Sequence, residues 1–232
     1  NIQALLNQNF EKFDLFVIDN NSNDGTDEMI AAIKDKRIRY YNTGKNLGGS
    51  GGFSFGLKIA AEELYDYAWV MDDDSIPEPD AMGSLIQKAE VLKGDFSFLS
   101  SLVYWTDDKI FPMNFPRVEY EHLRELSQKI IHECKLIPVA SGSFVGCFIN
   151  LDLTRKIGLP ITEFFIYGDD IEYTYRLRRE KRGYLDIDSA VLHKAPSNIG
   201  ANIESVEKAR LDRFYYQFRN GIYNARKYKK KK

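Results

Sequence analysis

The chain has 232 residues, 44% of them apolar, enough for one large core or two small ones. Its two cysteines, Cys134 and Cys147, are too few and too unpatterned for a disulfide scaffold or a zinc site. No apolar run reaches membrane-spanning length and no signal-peptide pattern opens the sequence, so buried free thiols in a reducing, cytoplasmic compartment fit best. The formal net charge is −2, but residues 204–232 hold 10 Lys/Arg against 3 Asp/Glu, a local +7 that leaves −9 for the rest. The basic tail from Arg226 to Lys232 suits anionic lipid at the inner face of a plasma membrane, nucleic acid, or only water. The 15 Phe and 14 Tyr can fill a core or line sugar and base sites.

In chain order, residues 2–9 read as the latter part of an amphipathic helix, so this sequence, which starts without Met, reads as a fragment or as a chain whose first residues are not seen. Residues 15–19 form a short buried strand ending in Asp19, and Asp24 or Thr26 caps a helix at about 27–34. Residues 37–41 form the next strand, which gives the strand–helix–strand spacing of parallel α/β units. Asp19 either caps a turn or accepts bonds from the base or ribose of a nucleotide. Between Gly44 and Gly52 lie five glycines, ahead of a helix at about 53–64. Their amides can line a phosphate or sugar, or the stretch is merely a flexible loop; it is neither a Walker loop nor a Rossmann fingerprint.

Residues 67–71 run into Asp72, Asp73 and Asp74, with Pro77 and Pro79 closing off any continuation of the strand. Three adjacent carboxylates repel one another unless a cation sits among them, and all-oxygen ligands suit Mg²⁺ or Mn²⁺; an acidic surface turn is the plainer reading. A helix follows from Asp80 to about 92, then a strand at 96–105, a turn-rich excursion at 107–116, and a helix at 120–133 with Leu123, Leu126 and Ile130 on one face. Residues 136–140 then approach a strand at 141–149, which carries small residues where a ligand or backbone comes close. An aromatic run through Tyr167 enters Gly168, and Asp169, Asp170 and Glu172 open a helix that Gly183 ends; Glu172 and Arg176 are spaced to pair. A strand over 184–193 ends in His193, by default a structural histidine, and His122 and His132 have no partner motif. A charged helix with an aromatic stripe (Phe214, Tyr215, Phe218, Tyr223) covers 204–228, positioned to pack on the sheet or to meet a membrane or a subunit. The division is a catalytic domain at 1–203 and a basic aromatic helix and tail at 204–232.

The inventory is a strand-end acid cluster, a glycine stretch, and an acid pair at a helix start. A metal-bound diphosphate explains the first group, and Asp169 or Asp170 can deprotonate a hydroxyl, so both transfer and hydrolysis fit. No Gly-x-Ser-x-Gly elbow and no Cys–His signature supports acyl transfer.

Three segments carry a resemblance: residues 17–26 around Asp19 and Asn21, residues 46–53 from Asn46 through Gly48, Gly49 and Gly52 to Phe53, and Met71 with the three aspartates. Together they resemble glycosyltransferase family 2, a GT-A fold family, and within it the galactofuranosyl- and rhamnosyltransferase-like members. The resemblance implies a mostly parallel, Rossmann-like sheet flanked by helices, here lacking its first strand. A strand is implied ahead of residue 2, and the chain as it stands is expected to have weak or no activity. The implied reaction moves a sugar from a UDP- or dTDP-linked donor to a glycan or lipid-linked glycan of the cell surface, with inversion and no role for nucleic acid. Asp19, Asn21, Asn46, Gly48, Gly49, Gly52, Asp72 and Asp73 are implied in donor binding. Asp72, Asp74 and His193 are implied as ligands of Mg²⁺ or Mn²⁺. Asp170 is implied as the base, with Asp169, Tyr167 and Glu172 on the acceptor. Gly168 departs from the Trp of galactofuranosyl members, a change expected to leave more room or more loop freedom. Alternatives are a rhamnosyl- or other hexosyltransferase, a silent nucleotide-sugar-binding module, and a phosphate-hydrolysing enzyme; a homo-oligomer is also open.

Overall fold

The computed structural model describes residues 1–197 and 211–228. Its main sheet has seven strands in the order β3-β8-β5-β9-β7-β6, with β4 on the edge of β9. The strands are β3 (Tyr67–Val70), β4 (Ser75–Pro77), β5 (Phe98–Tyr104), β6 (Arg117–Val118), β7 (Leu136–Ser141), β8 (Cys147–Asn150) and β9 (Gly183–His193). Only β5 and β9 pair in parallel; every other ladder of this sheet is antiparallel. The sheet is therefore mixed, not mostly parallel. The strand–helix–strand rhythm of the first forty residues does not persist: beyond residue 98 helices no longer alternate one-for-one with strands, and antiparallel pairing needs no long crossover. A separate parallel pair, β1 (Leu15–Asp19) and β2 (Ile38–Asn42), shares no ladder with the main sheet among the described residues.

Adjacent residues of the central strands separate to opposite faces, as the two-residue pleat requires. Phe98, Ile149 and Leu185 pack against α3 (Gly48–Glu62), α6 (Leu151–Ile157) and α7 (Asp169–Arg178). Leu99, Phe148 and Tyr184 pack against α4 (Ala81–Val91). Both sulfhydryls are free and buried. The remaining helices are α1 (Ile2–Leu6), α2 (Thr26–Ala32), α5 (Tyr120–Leu123) and α8 (Asp212–Tyr228).

Four local expectations are corrected. Residues 75–77 do form a strand despite Pro77: it sits at the end of an edge strand, where its missing N–H costs no ladder bond. The helix expected at 120–133 breaks into α5 and a π-type turn at Lys129–Glu133, with Leu126 and Ile130 packed on the core. Helix α7 stops at Arg178, and Gly183 opens β9 instead, because a Cβ there would collide with the Phe98 ring. Helix α3 begins at Gly48, so four glycines of the presumed loop lie in its first turns. Glycine disfavours a helix by about 1 kcal/mol relative to Ala, and tertiary bonds hold this start: Ser50 N donates to Phe165 O at 3.1 Å and Ser50 Oγ to Ile161 O at 2.7 Å. Of the expected C-terminal helix, residues 204–210 lie outside the described residues.

Candidate active site

The three aspartates occupy the short link from β3 to β4. Strand β4 pairs with the end of β9 in the register Ser75–His193, and Lys194 N donates to Asp74 O at 2.9 Å. This pairing carries His193 to the acids: one ligand atom from each of Asp72, Asp74 and His193 lies within 4.8 Å of the others. Asp73 is exposed and outside the group.

Hydrogen bonds behind the ring orient the histidine. Its Nδ1 lies 2.8 Å from Asn114 Oδ1, and the amide of Asn114 is itself fixed by donation from Nδ2 to Ser143 Oγ at 3.1 Å. An acceptor at Nδ1 puts the ring proton there and leaves the Nε2 lone pair facing Asp74, the tautomer used by metal-ligating imidazoles. Nε2 is 3.1 Å from Asp74 Oδ1, an oxygen that is buried and has no hydrogen-bond partner among the described residues. Two lone pairs in such contact require a proton or a cation. With a proton, the imidazolium bonds Asp74 and holds its carboxyl below the usual range. With a divalent cation, the same two atoms are ligands, joined by Asp72. Asp72 is pushed up to about 6, first by the surrounding protein and then by Asp74, although its exposed side chain lets water temper the effect. A cation relieves that strain too, so the donor set fits Mg²⁺ or Mn²⁺.

The acid pair stands at the start of α7. Asp169 is buried; Asp170 is half-buried and its Oδ1 accepts from Ile171 N at 2.7 Å. Asp170 also lines a cavity of about 330 Å³, together with Asn114, Phe115, Arg117, Ser143 and Tyr175. Asn114 thus joins the cavity wall to His193. Burial raises both carboxyls above their ordinary values; the neighbouring Asp169 adds to the shift at Asp170, and Asp72 adds to it at both. Unfolded, both titrate near about 4; folded, they hold their protons to higher pH, so stability is lost as pH rises from the unfolded value through the raised ones. In melting experiments on metal-free protein, the wild type is expected to lose stability across this window and Asp170→Asn to lose less of it. An identical pH slope in the two would contradict the burial argument.

At the end of the separate strand pair, Asp19 closes β1 and is buried. Its carboxylate accepts from Ser22 N at 2.8 Å and from the Tyr40 hydroxyl; burial acts to raise its pKa, but these bonds outweigh it and hold it low. Asn21 is exposed, with φ +63°. Asn46 Oδ1 accepts from Gly48 N at 2.8 Å. Most of the helix-start glycines serve chain packing: a Cβ on Gly48 (φ +69°) would run into the Phe165 carbonyl and one on Gly52 would meet the Asn20 amide at 3.0 Å, while Gly44 and Gly49 face open space. Asn20, not singled out in the sequence, ties this helix start to β1 by donating to Gly48 O at 3.0 Å and accepting from Leu47 N at 3.3 Å.

Glu172 is placed differently from its implied acceptor role. It is fully buried, and its carboxylate is bound by Arg176, as the spacing predicts, and by Lys227 at 3.1 Å and Tyr228. Burial acts to raise it and these partners prevail, holding it low. Helix α8 also grips the loop ahead of the acid pair, where Phe165, Tyr167 and Gly168 all have positive φ. Buried Asn220 donates to Phe164 O, Ile166 O and Tyr167 O at 3.0, 3.0 and 2.8 Å, and Asn224 donates to Gly168 O at 2.9 Å. Gly168 therefore brings neither added room nor freedom: a Cβ would meet Asn224 at 3.3 Å. Neither Asn114 nor Asn220 is marked in the sequence, since a lone asparagine carries no motif: Asn114 lies in the turn-rich excursion and Asn220 in a helix whose visible signal is its aromatics.

Strand-end acids with a histidine thus stand beside a helix-start acid pair on a mixed α/β sheet. The chain belongs to glycosyl transferase family 2, whose model matches residues 1–152. It is 29% identical over 190 residues to the galactofuranosyltransferase GlfT1 of Mycobacterium tuberculosis, covering 79% of this chain and 61% of that protein. It is 26% identical over 183 residues to the same-named protein of Mycolicibacterium smegmatis, covering 77% and 60%. The chain thus spans under two thirds of the length of these relatives. Its fold is GT-A-like and is similar to that of GalNAc-T7 solved with UDP, GalNAc and Mn²⁺, with TM-score 0.66, 14% identity, and 84% of this chain and 40% of that one covered. It is also similar to S. aureus TarS 1-349, with TM-score 0.59, 18% identity, and 98% and 70% covered.

Proposed function

We propose that the cleft transfers a sugar, galactofuranose or a close relative, from a UDP- or dTDP-linked donor to a hydroxyl of a cell-surface glycan, free or lipid-linked, with inversion. The observation that carries this reading is the position of Asp170: it lines a cavity whose wall shares Asn114 with the Asp72–Asp74–His193 group. The names of the mycobacterial relatives support the choice of sugar. An acceptor hydroxyl in the cavity gives its proton to the Asp170 carboxylate as its oxygen bonds the anomeric carbon. The carbon–phosphate oxygen bond breaks on the opposite face, and the nucleoside diphosphate leaves with the electron pair. Asp169, buried beside the base, orients the acceptor. Asp72, Asp74 and His193 would hold Mg²⁺ or Mn²⁺, which when bound neutralises charge developing on the diphosphate.

The test is a donor panel (UDP-galactofuranose, dTDP-rhamnose, UDP-hexoses) run with Mg²⁺, Mn²⁺ or a chelator. Transfer from the galactofuranosyl donor that the chelator abolishes is expected. Preference for the rhamnosyl donor would reassign the sugar; metal-dependent nucleotide binding without turnover would leave a silent binding module; free sugar released without acceptor would indicate hydrolysis.

A further inference from the structure

Helix α8 presents apolar residues outward as well as inward, unlike an ordinary surface helix, which keeps its apolar stripe inside. Its inward contacts are mixed: Tyr216 stacks on Phe165, Tyr223 and Tyr228 meet Phe164 and Tyr175, Asn220 and Asn224 bond the carbonyls of the acid-pair loop, and Lys227 and Tyr228 bond Glu172. On the side opposite Asn220, Leu211, just ahead of the helix, and Tyr215, Phe218 and Ile222 follow at spacings of four, three and four, a single helical stripe. They are 41, 65, 58 and 54% exposed. Beside the stripe lies an open groove of about 450 Å³ lined by Arg219, Ile222, Tyr223, Arg226 and Lys227, apolar surface next to cationic groups.

Charge selects the occupant. From Leu211 onward the sequence has eight Lys/Arg against one Asp, a balance of +7, which leaves −9 for residues 1–210 of a chain whose formal net charge is −2. An anionic surface attracts this end and repels the rest, so it fixes one orientation. A second copy of the chain would set +7 against +7 at the same stripe. No described helix is long and apolar enough to cross a membrane, so contact is through a face.

We propose that α8 lies in the plane of an anionic lipid surface. The Tyr215–Phe218–Ile222 stripe enters the boundary between headgroups and acyl chains, and Arg226 at the groove meets the lipid phosphates. The inward side of the same helix holds the Glu163–Gly168 loop, so docking sets the acid pair about one helix diameter, ~10 Å, from the lipid surface. This inference goes beyond the transfer reading and does not rest on it.

The test is co-sedimentation of the full chain with phosphatidylcholine vesicles, with and without phosphatidylglycerol, alongside light scattering for oligomeric state. Binding to the anionic vesicles and not to the neutral ones is expected. Phe218→Ser with Ile222→Ser should lower the anionic partition coefficient at least about tenfold, with an unchanged melting temperature because both side chains are exposed. Phe218→Trp should shift its emission to the blue only with anionic vesicles. Wild-type binding by the double serine variant would overturn the proposal in favour of the lysine tail acting alone. Equal binding to neutral vesicles would overturn the charge selection. A dimer that the serine variant dissociates, with no vesicle binding, would assign the stripe to a second copy.

Discussion

Asp170→Asn is expected to lower the rate of sugar transfer by about 10²- to 10⁴-fold, the usual contribution of a positioned general base. Nucleotide-diphosphate affinity, measured by calorimetry with metal present, should be unchanged. The substitution keeps the shape of the side chain and the acceptor oxygen for Ile171 N, so α7 should start as before. It removes only the capacity to take a proton. The pH profile gives a second readout. A carboxyl raised by burial and by Asp169 and Asp72 must lose its proton before it can act, so kcat should rise with pH through the raised value. A cation beside Asp72 opposes that shift, so higher metal occupancy should move the acid limb to lower pH. A variant that lost nucleotide binding along with transfer would make Asp170 a structural residue.

The second large effect belongs to Asp74. A ligand that binds only the folded state stabilises it by about 2.7 kcal/mol at one hundred times its Kd, and wild-type protein titrated with Mn²⁺ should show a gain of this order in thermal unfolding. Asp74→Asn should abolish the gain and the metal dependence of nucleotide binding. In chelator, above the ordinary histidine range where no proton bridges the pair, the variant should melt no lower than wild type. The asparagine amide would donate to His193 Nε2, where Asp74 Oδ1 now lies at 3.1 Å without a hydrogen-bond partner. An orphaned oxygen kept for a cation predicts this opposition between the two conditions; an oxygen kept for an ordinary ion pair with His193 predicts that Asp74→Asn destabilises in both.

The corrections share one cause. The glycines from Gly48 to Gly52 read equally as a ligand loop or a helix start, because glycine permits both; the Phe165 carbonyl and Asn20, distant in sequence, decide for the helix. Glu172 has the same local signature as its neighbours Asp169 and Asp170. Helical geometry turns it about 200° from Asp170, toward Arg176, Lys227 and Tyr228. Pro77 argued against a strand and was accommodated at its edge. The spacing of Leu211, Tyr215, Phe218 and Ile222 is plain in the sequence, but which side faces the protein depends on carbonyls that only the folded loop presents to Asn220.

By itself the sequence determined what is local: apolar runs ending in acids at Asp19 and Asp72, an acid pair where a helix dipole favours it, and the residue types that a hard cation accepts. Period and composition act over a few residues and survive translation into one dimension. The tertiary structure decided which of these meet. Strand β4 pairing with β9 sets His193 against Asp74, Asn114 fixes the ring, and α8 holds the loop that aims Asp170. Such contacts depend on strand register and on the direction in which each chain segment returns, and these are settled by burial of the whole sheet between its helices.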